Sequence, residues 1–158
     1  MTSTTTRRWP LLILHVATTV SVLGTDLALL VLGVSGARGV DPKAVYPAAH
    51  TLGEWLVAPL AILALVTGVL LAVSSDWGLA KYWWVTIKLA ITAVLTVLVL
   101  VVVLPKLGSA ADDATASRIL TQSKKTLLEI IPIVASTLLL VNVILAVTKP
   151  RWRLGSGR

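Results

Sequence analysis

The 158-residue chain contains no cysteine. That absence removes disulfides, thiolate metal sites, iron–sulfur clusters and cysteine nucleophiles. No complete catalytic or cofactor motif is present, and no internal repeat. No connection is long enough for a separate globular domain, since the longest, Pro105 to Lys125, is about twenty residues. What is present is apolar. Hydrophobic residues make up 56% of the chain and mean hydropathy is +0.91, above the roughly 45–50% apolar usage of soluble domains. Four stretches carry this excess: Leu11 to Val34, His50 to Val73, Trp83 to Leu104 and Thr126 to Thr148. Each is close to the roughly 20 residues that cross a ~30 Å hydrocarbon slab as a helix. The expectation is an all-α fold, an antiparallel bundle of four transmembrane helices forming a single integral membrane domain over 1–158.

The net charge of +7 is placed for a membrane. Arg7, Arg8, Lys149, Arg151, Arg153 and Arg158 flank the first and last stretches, where basic residues face cytoplasm and anionic headgroups. No basic face with reading or stacking groups is visible, so nucleic acid is excluded as a partner. The side holding both termini also carries Lys81; the opposite loops carry Arg38, Lys43, Lys106, Arg118, Lys124 and Lys125. Trp9, Trp77, Trp83, Trp84 and Trp152 gather at the terminal side, and Trp55 marks the other. Weighting the charges nearest the first and last spans gives an N-in, C-in topology. The start, Thr6 to Leu11, partly resembles a twin-arginine signal. The apolar run behind it continues to Val34, longer than the roughly 7–15 residues of a signal core, so a retained helix is expected.

The connections differ in character. Ser35 to Ala49 is punctuated by Gly and Pro and reads as an external loop. Ser74 to Tyr82 reads as a short internal turn with Ser75 or Asp76 as a cap. Pro105 to Lys125 is polar, and Ser109 to Asp112 fits a loose capping pattern, which starts the fourth helix outside the membrane. Pro150 reads as a helix stop. Pro59 and Pro132 are expected to kink their helices. Glu54, Ala61 and Gly68 recur at seven-residue spacing beside Ala58 and Ala64, a small-residue seam where helices approach closely.

An ionisable residue at mid-membrane costs roughly 2.5–3.5 kcal/mol on insertion scales, so each invites a functional reading. Asp26, His50, Glu54 and Glu129 sit at similar depth in the outer half, and His50 and Glu54 share a face one turn apart. If the polar faces point inward, these four form an outward-opening pocket, with Trp55 a ligand-binding candidate. As a metal site the set offers one nitrogen and three carboxylates. As acid–base machinery it offers catalytic candidates for isomerising or cyclising a lipophilic substrate, or for relaying protons. Alternatively, Glu54 and Glu129 are helix-start residues favoured by the helix dipole, and Asp26 is satisfied by Thr25 or a neighbouring helix. His15, Thr19, Val22 and Asp26 share one face of the first helix. His15 and His50 lie at opposite depths, so no bis-histidine haem and no other cofactor is expected. Lys88, Thr92 and Thr96 share a face of the third helix; Lys88 and Thr92 are ligand-binding candidates, with a snorkelled lysine as the alternative. Asn142 is placed to bond across helices.

Thr67-Gly68, Ser75-Asp76-Trp77-Gly78-Leu79, Tyr82-Trp83-Trp84-Val85, Lys88 and Lys149-Pro150-Arg151 together resemble a family of small four-helix integral membrane proteins from high-GC bacteria. The resemblance spans nearly the whole chain and implies a fold and a plasma-membrane location, with no activity attached. The layout is more distantly similar to copper-resistance and b-type cytochrome membrane proteins. Their paired histidines and methionine clusters have no counterpart here, Met1 being the one methionine. The expected partners are the bilayer, a lipophilic small molecule in the pocket, and a second copy or another membrane protein on the small-residue face. A non-catalytic subunit and a proton-coupled or metal-handling transport component are the rival functions.

Overall fold

The computed structural model describes residues 8–74 and 83–148, which form four long helices with no strand among them. We number these α1, Arg8–Ala37; α2, Pro42–Ser74; α3, Trp83–Thr115; and α4, Gln122–Thr148. All four are long and apolar enough to cross a membrane. Arg7, the turn carrying Ser75, Asp76, Trp77, Lys81 and Tyr82, and the Lys149-Pro150-Arg151 stop lie outside the described residues. Helix α1 packs along both α2 and α4, and α3 closes the ring against α2 and α4. Each helix therefore neighbours the ones before and after it, as in an up-and-down bundle.

Two expected loops prove to be largely helix. The α1–α2 connection spans only residues 38–41, because Asp41 caps α2 by accepting from the Lys43 amide at 3.1 Å. Pro42 then occupies the first turn, where a missing N–H costs nothing. Pro47 sits inside the helix. On the other side, Pro105 does not end α3, and Ser109 to Asp112 are interior residues of it. Leu107, Ala110, Ala111 and Ala114 are buried, and that spacing is a helical stripe. They pack against the Tyr46 and Ala49 side of α2, and Leu107, Ala110 and Ala114 join these two and Leu120 in one buried cluster.

Two prolines are accommodated by a widened turn just ahead of them. Gly53–Val57 and Val99–Val103 are π-helical, and the amides of Ala58 and Leu104 reach back five residues, to Gly53 and Val99. Pro59 and Pro105 follow directly. A proline ring collides with the carbonyl four residues back, and the extra residue in a π turn moves that carbonyl aside.

The helices end by the same device at both loops. After α1, Val40 donates to Ser35 and Gly39 to Gly36, with Gly39 at φ 91°. After α3, Arg118 donates to Asp113 and Ser117 to Ala114, with Ser117 at φ 57°. Both are Schellman caps that require a left-handed residue. A serine there bears the Cβ strain of about 1–2 kcal/mol that glycine avoids. Ser117→Gly is therefore expected to raise the unfolding midpoint in detergent by a few degrees, and Gly39→Ala to lower it; circular dichroism melts read both.

Candidate functional site

The deep polar residues meet at the seams between neighbouring helices. Between α1 and α2, His15 Nδ1 lies 2.9 Å from Thr67 Oγ1. The Thr67 hydroxyl donates its one proton to the Leu63 carbonyl at 2.6 Å, so His15 must donate through Nδ1. The ring lies on Gly68, where a Cβ would come within 3.1 Å of it. Between α2 and α3, the Thr96 hydroxyl shares its proton between Thr92 of its own helix at 2.8 Å and the Ala61 carbonyl at 3.4 Å. Between α3 and α4, Asn142 Nδ2 donates to Thr92 Oγ1 at 3.1 Å, and Thr92 in turn donates to the Lys88 carbonyl at 2.9 Å. Between α4 and α1, the Ser136 hydroxyl donates to the Asp26 carboxylate.

Asp26 is therefore satisfied by a neighbouring helix. Thr25 is not its partner, because its hydroxyl is turned to the carbonyls of Ser21 and Val22. Ser136 is a residue that sequence reasoning passed over. It carries no charge and sits in an apolar run, although it lies seven residues, two turns, beyond Glu129 and so near the same face.

The other outer-half candidates are arranged differently. His50 Nε2 is 4.0 Å from Glu54 Oε2, and the two side chains are 34% and 53% exposed. The His50 ring rests against Gly108 of α3. Gly53 and Val57 take the buried side of the π turn, which leaves Glu54, Trp55 and Leu56 outward; Trp55 is 72% exposed. Glu129 is half-buried on α4, where the backbone of Leu128 and Glu129 meets Gly33 of α1. No three of the described His, Asp and Glu residues stand close enough together to hold a metal ion. Lys88 Nζ is 6.0 Å from the centroid of the Trp84 ring, beside the Asn142–Thr92 contact rather than the outer groups.

A small cavity of about 20 Å³ lies where the four helices meet, walled by Gly33 of α1, Tyr46 and Ala49 of α2, Val103 of α3, and Leu128 and Pro132 of α4. None of Asp26, His50, Glu54 or Glu129 lines it. The helical rotation that buries Gly53 and Val57 is the physical reason that Glu54 and Trp55 stay out of it.

The seam contacts are worth testing singly. Interhelical hydrogen bonds in membranes contribute about 0.6 kcal/mol on average and up to about 1.7. Thr67→Val, which removes the 2.9 Å contact of His15 Nδ1 and leaves the Ala64 carbonyl as the ring's acceptor on α2, is expected to cost at the upper end of that range. Thr96→Val, which removes only the long shared bond to Ala61, is expected to cost at the lower end. Reversible unfolding in mixed micelles ranks them, and equal losses would show that seam geometry does not set the cost.

Comparison with curated proteins and with solved structures finds no match. The four apolar helices in a ring, with buried polar groups turned to their neighbours, are those of a multi-pass integral membrane protein. Residues 10–150 match the family described as predicted integral membrane protein (DUF2269), and the chain belongs to that family.

Proposed function

We propose that this chain is a non-catalytic subunit of a bacterial plasma-membrane assembly, inserted with both termini on the cytoplasmic side. One observation carries the reading. Of the six buried polar residues among those described, Asp26, Thr67, Thr96, Ser136 and Asn142 each take part in a contact to another helix. The sixth, Thr18, bonds to its own helix. Groups committed to helix pairing are not available to a substrate. The cavity also bears on this, since it has room for a single water rather than a lipid. Glu54 and Trp55, outward and adjacent, offer a partner helix a carboxylate and an indole near the headgroup level.

A second reading rests on the choice of side chain at the α4–α1 seam. A serine hydroxyl would be accepted equally well by an asparagine, which is cheaper to bury in lipid than an aspartate. A carboxyl kept there favours proton-carrying or acid–base work. In its fuller form, Asp26 acts with His50, Glu54 and Glu129 on a lipophilic ligand held near Trp55.

Replacing the carboxyl separates the two. In cells deleted for the native gene, Asp26→Asn is expected to restore the wild-type phenotype, because the amide oxygen still accepts from Ser136. Asp26→Leu, which leaves the Ser136 hydroxyl unpaired, is expected to lower the yield of folded protein severalfold. An Asp26→Asn protein that folds to wild-type levels and fails to restore the phenotype would overturn the subunit reading in favour of the second.

A further inference from the structure

Tyr46 is the best-buried large side chain among the described residues, at 1% exposure. Its hydroxyl has no hydrogen-bond partner among the described residues. An orphaned hydroxyl in an apolar interior costs about 1–3 kcal/mol, so a structure that keeps one calls for an explanation. Phenylalanine would fill the same space without that cost. The hydroxyl end of Tyr46 packs beside Gly36, where a Cβ would stand 2.9 Å from Oη. Gly33, one turn earlier on the same face of α1, walls the cavity that Tyr46 also lines.

A second group without its usual partner belongs to another residue of the cavity wall. Pro132 has no N–H, so the carbonyl of Leu128, four residues before it, loses its α-helical donor. Both Leu128 and Pro132 line the cavity, and the Leu128 carbonyl points at α1, 2.7 Å from where a Gly33 Cβ would stand. Two residues of the wall thus carry, respectively, an orphaned donor and a carbonyl stripped of its usual amide. The surroundings repeat the theme. Val103 in the wall is the last residue of the α3 π turn, and Ala49 lies one turn before the π turn of α2.

We propose that this four-helix junction is a binding site for one buried water molecule, which accepts from the Tyr46 hydroxyl and donates to the Leu128 carbonyl. The size selects the ligand. About 20 Å³ exceeds the roughly 10–15 Å³ that a water needs and excludes an organic molecule. The chemistry selects it as well, since water both accepts and donates. The same bridge ties α2 to α4, two helices that stand diagonally across the bundle and share no seam.

Two measurements test the site. The chain has two tyrosines, so selective tyrosine labelling gives a simple spectrum. Magnetisation transfer from water to the Tyr46 ring protons, with the sign of a long-lived contact, is expected in detergent micelles. It should be lost in Ala49→Leu, which fills the cavity. Absence of transfer in the wild-type protein, or transfer from alkyl-chain resonances in its place, overturns the proposal. Tyr46→Phe is expected to lower the melting midpoint by about 2–4 °C, because the water loses a partner. An unchanged or raised midpoint shows that the hydroxyl had no partner to lose, and likewise overturns it.

Discussion

Lipid offers apolar side chains no reward for leaving it, and the architecture follows from that. In water, burial drives helices together; within the hydrocarbon, packing and polar contacts must do so. The bundle is divided accordingly. In the membrane-spanning part, the seams are closed by polar contacts: His15 to Thr67, Thr96 to Ala61, Asn142 to Thr92, and Ser136 to Asp26. Towards the end bearing the two described loops, where the chain is polar enough to meet water, Tyr46, Ala49, Leu107, Ala110, Ala114 and Leu120 form an ordinary hydrophobic core. The same cluster runs on into the apolar stretches through Leu29, Val57, Val103 and Leu128.

Proline placement then determines what each helix presents. The π turns ahead of Pro59 and Pro105 advance the helix by one residue, so the face that is inward before the turn is rotated after it. On α2 the turn leaves Glu54 and Trp55 outward, while His50, half-buried against Gly108, stays 4.0 Å from Glu54. On α3 it lets the helix continue through Pro105 and carry the alanine stripe that packs on Tyr46. The irregular turns are therefore joints between a lipid-solvated half and a water-ordered half. They also explain why extrapolating a regular 3.6-residue period across them misplaces side chains.

The spans were legible because twenty-residue apolar runs have few physical alternatives. Asp26 was legible as an anomaly for a related reason: a carboxylate in such a run needs a partner. The partner was not legible, because Ser136 looks like any hydroxyl that bonds back to its own helix. The helical extensions were misread because Pro42, Pro47 and Pro105 carry the signature of loops. A first-turn position makes Pro42 tolerable and a preceding π turn makes Pro105 so; Pro47 sits in the helix interior, where it gives up a backbone bond, and tertiary packing by Tyr46 and the Ala110–Ala114 stripe decides for helix. Convergence of Glu54 and Glu129 with Asp26 was inferred from shared depth. Depth follows from residue count, whereas direction depends on the winding of each helix, which the π turn changes.

The seams also differ in what they demand of their residues. Threonine at positions 67, 92 and 96 is an economical choice, because its hydroxyl can bond back to its own helix when unpaired and so costs little during insertion. Asparagine at 142 is dearer, and aspartate at 26 dearest, since neither can satisfy itself in that way. The cost of inserting the seam residues thus rises from threonine to aspartate, and it is greatest where α1 meets α4, so that this seam depends most on its partner hydroxyl being in place.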